Sequence, residues 1–279
     1  MMTANRSRRV RRGFSLVELL ITLVLVSIIG AAAGRLLMSQ TRFYSRLAGQ
    51  KDARSVTRNA RNIIQTELSM VEAGGGVTAA STDSIRVRLP YVWGVYCSSN
   101  TMMYLPYDSA MTAMATLAGY AIKDTSSNGI YAYTATTTAP TAGTAANCTG
   151  SPTSITAPAN GGYYTLSPAV TGTAASPMFL YQVVTYKFGA SAIVPGKRGL
   201  YRRIGSGAAE EILAPFDTSA KFRYYNLYAD TAQTTVPTIS DIRGVELQLD
   251  AQSASRTGGQ TTPESVSIKT AIFFRNRVN

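Results

Sequence analysis

Apolar and polar positions divide the chain into three regimes. Residues 14–34 run for 21 positions with one charge, Glu18, close to the ~20 apolar residues that cross the ~30 Å hydrocarbon core of a bilayer. Beyond them Val56, Ala60, Ile63, Ile64, Leu68 and Val71 recur every three or four positions, which predicts one apolar stripe on a helix with a solvated back. Proline is absent before Pro90, glycine is absent between Gly49 and Gly74, and Gly74-Gly75-Gly76 reads as the stop. A single helix over residues 14–71 would be about 87 Å long at 1.5 Å per residue. Its first half has no reason to exist in water, and its second half has a stripe to lay on a sheet.

From Ser84 the period changes to two. Residues 84–89 and 91–97 read as strands broken by Pro90. Residues 178–188 and 199–204 predict a hairpin across a turn holding Pro195-Gly196, and strands follow at 211–216, 221–228, 241–249 and 265–275. Val245, Leu247 and Leu249 alternate as an antiparallel strand with one buried face should. Between these sets, residues 98–177 are rich in Thr, Ala, Ser and Gly, with short strands at 131–133 and 163–166 and a low-complexity surface excursion over 134–158. The layout is α+β, a long N-terminal helix packed on a C-terminal antiparallel β-sheet head over 84–279. The excursion is either a recognition segment held on a scaffold or a tolerated insertion without a ligand.

Charge adds orientation. Arg6, Arg8, Arg9, Arg11 and Arg12 precede the apolar run with no acid among them, and Arg35 closes it. That asymmetry predicts a cytoplasmic N-terminus and an exported head. Loss of those five arginines would lower the formal charge from +12 to +7, so much of the basicity is topogenic. Arg42, Arg46, Arg54, Arg58 and Arg61 give the exposed helix side a basic face. Such a face is usually solvated. Anionic lipid headgroups or acidic patches of neighbouring subunits could also meet it, whereas nucleic acid is not an expected partner. Gly30-Ala-Ala-Ala-Gly34 has the small-xxx-small spacing that lets helices approach closely in lipid, or simply has little bulk near one leaflet. Glu18 is the costly residue: a carboxylate in a spanning helix costs roughly 2.5–3.5 kcal/mol at the centre and less near an end, so a partner must be sought. An ordinary signal peptide cut near Ala31-Ala32-Ala33, a twin-arginine leader around Ser7-Arg8-Arg9 and a plain anchor compete for the same stretch. Glu18 fits a signal peptide badly, and the helical pattern continues past Ala33.

Chemistry is sparse. The chain has no histidine, which removes histidine-based acid–base catalysis and most transition-metal sites. No glycine-rich phosphate loop is present, and Asp217, Asp230 and Asp241 fit no compact calcium loop. No catalytic set, metal site or cofactor is expected. Cys97 and Cys148 lie on the predicted outer side, where an even count reads as one disulfide closing a loop of about 50 residues, worth roughly 4 kcal/mol in the chain-entropy treatment; two buried thiols are the alternative. The 16 tyrosines suit strand packing or an exposed contact face.

The basic leader, Gly13, Phe14 and then Ser15-Leu-Val-Glu18-Leu-Leu resemble the class III signal of type IV pilins and type II secretion pseudopilins over residues 6–34. The resemblance implies a pilin-like fold, cleavage between Gly13 and Phe14 by a prepilin peptidase, and N-methylation of Phe14. It also implies that Glu18 pairs with the N-terminal amine of a neighbouring subunit, setting register in a filament core. The expected partners are the peptidase and methylase, other pilin or pseudopilin subunits, an inner-membrane assembly platform, and membrane lipid before assembly. Gly-Leu-Tyr-Arg, Phe-Arg-Tyr-Tyr and Ile-Arg-Gly-Val-Glu-Leu-Gln-Leu over 199–276 resemble more loosely the minor-pilin group called PilW and the GspJ pseudopilin. That resemblance implies a minor subunit that initiates, caps or builds a pilus or secretion pseudopilus. A filament-tip binding module for adhesion or DNA uptake, reading through residues 98–177, is the alternative.

Overall fold

The structure is a computed structural model and describes residues 15–98, 100–104, 116–123, 130–144, 148, 157, 161–169, 172–256, 258 and 260–275. Helix α1 (Leu16–Leu68) has 53 residues, about 80 Å at 1.5 Å per residue. Among the described residues thirteen strands follow: β1 (Val77–Ala80), β2 (Ser84–Tyr96), β3 (Thr101–Tyr104), β4 (Gly119–Lys123), β5 (Tyr131–Ala135), β6 (Thr141–Ala142), β7 (Gly162–Thr165), β8 (Pro177–Ala190), β9 (Arg198–Ile204), β10 (Glu210–Phe216), β11 (Lys221–Asn226), β12 (Ile242–Gln252) and β13 (Ser265–Phe273). The class is the expected α+β, an apolar N-terminal helix on an antiparallel sheet.

The sheet runs β11-β12-β10-β9-β8-β2-β3-β7-β6. β13 lies beside β12 in unbroken register from Gly244↔Phe273 to Gln252↔Ser265. The C-terminal half of α1 lies over β10, β12 and β13. Its buried positions are Ala53, Thr57, Ala60, Ile64 and Leu68, spaced so that one narrow stripe meets the sheet. Ala53 and Ala60 bring the backbone close, and the Thr57 hydroxyl is satisfied by donating to the Ala53 carbonyl at 2.8 Å. Ile64 and Leu68 join Phe188, Leu200, Phe216, Phe222, Val245 and Leu247 in the main core. Ile63, read from the sequence as part of the stripe, stays 38% exposed, because a stripe this narrow admits one of two adjacent residues.

Two boundaries differ from the sequence expectation. The helix stops at Leu68, before the glycine run. Met70 and Val71 amides donate back to Glu67 and Leu68 carbonyls in a tightened last turn. Glu72 then forms a parallel bridge with Arg275, and Ala73 donates to the Arg275 carbonyl. Pairing with the chain beyond β13, and burial of Val71, replace a further helical turn. Pro90 does not divide two strands; it lies inside β2, at a bulge between Pro90 and Val92. Arg88 donates its amide to Gly76 on the β1 side. Two residues on, the missing amide of Pro90 faces the same side, in the gap left between the β1 pairing at 85–87 and the β3 pairing at 94–96.

β2 and β8 are the longest strands and carry the sheet into a second lobe. There β3, β4, β5 and β7 gather three small cores, around Tyr120 and Met178, around Phe179 and Tyr181, and around Cys97, Met103 and Cys148. None contains a residue of α1.

Candidate functional site

The functional reading rests on the part of α1 that the head does not cover. Gly49 marks where the head begins: a Cβ there would meet Ser253 Cβ at 3.1 Å, a tight contact that the side chain of Ser253 would have to yield to. Arg46 reaches Glu264 at 3.9 Å and Gln50 donates to it at 3.2 Å. Residues 16–47 before this point form about 48 Å of helix, with Leu16, Leu19, Leu23, Val26, Ile29, Leu36 and Leu37 each more than half exposed. Its most apolar 18-residue window has mean hydropathy 2.5 and no residue buried against the rest of the chain.

Within residues 16–34 the polar side chains suit lipid in all but one case. Thr22 donates to the Leu19 carbonyl at 2.8 Å and Ser27 to Leu23 at 2.7 Å, so both hydroxyls are satisfied inside the helix. The exception is Glu18. Ser15 is the N-cap, extended at φ −71°, ψ 142°, and Glu18 lies in the first turn. These are the positions of a capping box, yet the Ser15 side chain makes no cap bond. Among the described residues Glu18 has no hydrogen-bond or ion-pair partner. Its carboxylate sits at the positive end of the helix dipole and remains free for an external cation.

Gly13 and Phe14 lie outside the described residues. At Gly30 and Gly34 an added Cβ would meet nothing within 4 Å; both occupy bare helix, and among the described residues the head brings no partner to them. Cys97 and Cys148 are joined in a disulfide across 51 residues, packed with Met103 and Tyr163 in the second lobe, away from α1. The aspartates weighed for calcium are separately engaged: Asp230 with Arg243 at 3.0 Å, Asp217 with the Thr218 amide at 2.6 Å, and Asp241 with Ser240 at 3.2 Å.

One constellation escaped sequence reading. Glu67, in the last turn of α1, takes the Arg202 fork through Nη2–Oε1 at 2.9 Å and Nε–Oε2 at 3.2 Å. It also accepts from the Tyr186 hydroxyl. Burial, then the Glu67 charge, pushes the Tyr186 phenol far above its ordinary pKa. This clamp fixes the end of α1 to β8 and β9, and so fixes the direction in which the bare segment leaves the head. A charged residue beside an apolar stripe was the only local signal.

Residues 8–34 match the family described as prokaryotic N-terminal methylation motif. No curated protein and no solved structure shows significant similarity to the chain. The matched residues run into the one helix among those described that is long and apolar enough to cross a membrane, which supports a membrane-anchored, single-pass protein. A methylation motif on a projecting apolar helix that leads into an antiparallel head supports the type IV pilin and pseudopilin family, a structural rather than catalytic class whose signal implies a prepilin peptidase and assembly with other pilins.

Proposed function

We propose that the protein is a minor pilin or pseudopilin, cut between Gly13 and Phe14, methylated on Phe14 and built through α1 into a type IV pilus or secretion pseudopilus. Residues 1–13 are its leader and 14–34 its membrane span, with the N-terminus cytoplasmic and the head exported; Gly30 and Gly34 are where helices of neighbouring subunits approach. The observation that carries this reading is a free Glu18 at the start of about 48 Å of uncovered helix, within the matched motif. Removing the leader exposes an ammonium on Phe14, four residues before Glu18. An incoming subunit displaced along the filament offers that ammonium to Glu18 of the subunit before it. Coulomb attraction at 4 Å is about 1 kcal/mol in water and about 4 at an effective dielectric of 20, so the pair counts most where packed helices exclude water. Its role is axial register. The minor-subunit assignment rests on the PilW-like and GspJ-like strand sequences over 199–276.

Glu18→Gln tests this. The variant keeps shape and hydrogen bonding and deletes the charge. Cleavage and membrane insertion stay at wild-type levels, while recovery in the sheared filament fraction, and crosslinking between adjacent helices, fall several-fold. Wild-type recovery of the Gln variant refutes the register role.

A second reading has its own support. The disulfide-bearing lobe has cores separate from the helix-packed core, as expected of a module that reads a ligand at a filament tip. Filaments that form normally but lose adhesion or DNA uptake when this lobe is altered favour it; loss of all filaments favours the assembly role.

A further inference from the structure

We propose that the outer face of the sheet, opposite α1, holds a site for a phosphate-type oxyanion built by Arg86, Thr185, Lys187 and Arg203. On β2, β8 and β9 the inward residues Ile85, Val87, Val184, Tyr186, Phe188 and Leu200 fill the main core. Alternation therefore turns their neighbours outward. Arg86 pairs with Thr185 across β2–β8, and Thr185 pairs with Arg203 across β8–β9, so the three stand in one row. Lys187 is two residues along β8, in the row of Ser84 and Tyr201. Thr185, Lys187, Arg203, Ser84 and Tyr201 line a groove of about 440 Å³.

Charge and hydrogen bonding leave this groove incomplete. Lys187 and Arg203, which line it, and Arg86, beside it in register with Thr185, are exposed, and none takes part in the ion pairs formed among the described residues. The Thr185 Oγ1 between them is shielded from water and has no hydrogen-bond partner, a state that costs a buried hydroxyl free energy. The neighbouring carboxylate, Glu211, is already occupied by the Ala192 and Ile193 amides at 2.7 and 3.3 Å, the Tyr201 hydroxyl at 3.1 Å and the Ser191 hydroxyl.

Geometry selects the ligand. With strands ~4.8 Å apart and ~6.8 Å between same-face residues, the three cations form a triangle about 8–10 Å on a side around Thr185. Long side chains on a triangle converge on one multivalent oxyanion; an extended polyanion would need them in line. A phosphate monoester supplies oxygens for two guanidinium forks and an ammonium, and for the Thr185 hydroxyl once the long side chains that shield it turn onto the ligand. The source is not the protein's own bilayer. Arg203 follows Arg202, which is fixed to Glu67, and 32 residues of helix separate Glu67 from Arg35, about 48 Å. Free phosphate and a phosphorylated sugar remain as sources.

Titration calorimetry on the detergent-extracted full chain, at constant ionic strength in chloride, uses inorganic phosphate in one arm and a hexose phosphate in the other. Saturable binding is expected, weakened at least tenfold by Arg203→Gln and by Arg86→Gln. Tighter binding of the hexose phosphate assigns a sugar carrier, and equal binding assigns the phosphate group alone. Thr185→Val weakens binding several-fold while leaving the melting temperature unchanged or higher, because it removes an unsatisfied hydroxyl and keeps a β-branched strand residue. No saturable binding of either ligand at about 10 mM, or binding that the arginine variants leave intact, overturns the site. Either result leaves the filament assignment untouched, since Glu18 and the groove are tested separately.

Discussion

Replacing Glu67 with alanine should unfasten the helix from the head. The carboxylate receives two bonds from Arg202, at 2.9 and 3.2 Å, and one from the Tyr186 hydroxyl. Tyr186 is fully buried, so its hydroxyl would be stranded at a cost of about 1–3 kcal/mol. The guanidinium would be stranded beside it; losing one partner of a buried pair costs about 3–5 kcal/mol. The two side chains retain 22% and 21% exposure, so water reaches the orphaned charge and the lower end applies, about 3 kcal/mol in all. For a head of this size that corresponds to a fall of roughly 6–12 °C in melting temperature, read by near-ultraviolet circular dichroism on detergent-extracted protein. Glu67→Gln still accepts from Tyr186 and should lose less than half as much. Arg202→Leu in the Glu67→Ala background should recover part of the loss, because an apolar replacement removes the stranded charge. A shift of under about 2 °C for Glu67→Ala, or glutamine as damaging as alanine, would refute the clamp.

Two further outcomes follow from the same structure. Reducing Cys97–Cys148, or Cys97→Ser, should loosen the second lobe while sparing the helix-packed core: limited proteolysis should nick between residues 98 and 161, and the loss is at most about 4 kcal/mol for a 51-residue loop. Cleavage first within the main core would contradict that division. Stability should be flat from about pH 5.5 to 9, since no histidine titrates. At the acid side, partial burial opposes ionisation of Glu211 and Asp250, but their hydrogen bonds, joined for Asp250 by the charge of Lys269, hold both below the ordinary carboxylate range. Their contribution is present above about pH 4 and is lost as pH falls through the depressed folded values. At the alkaline side, burial pushes Tyr91 and Tyr131 up to about 12, so their contribution is present below about pH 10 and is lost as pH rises towards 12. A melting temperature that changes steeply between pH 6 and 8 would contradict this profile.

Periodicity made the helix and most strands of the C-terminal half legible, because a core on one face writes itself into spacing: Val245, Leu247 and Leu249 alternate in sequence and are all buried. What stayed hidden depends on partners distant in the chain. Glu67 and Arg202 are 135 residues apart, so neither announces the other. The early stop of α1 depends on Arg275, and Pro90 is tolerated because of a gap between two other strands. Ala53 and Thr57 are poor hydrophobic signals, yet they line the seat of the helix because the sheet passes close there. In the second lobe the Thr-, Ala- and Ser-rich composition carries little period, so β3, β4 and β6 leave no mark in it. At the candidate site Glu18 stands out by residue type alone, since a charge in an apolar run is conspicuous wherever the chain folds.

We propose that this chain is made as a precursor and matured as a filament subunit. Intact mass and N-terminal sequencing of the membrane-extracted protein test it most directly. The expected product is a chain lacking residues 1–13, beginning at Phe14 and heavier by one methyl group, with Gly13→Ala leaving the precursor uncut. An unprocessed chain, or a new N-terminus near Gly34, would contradict it.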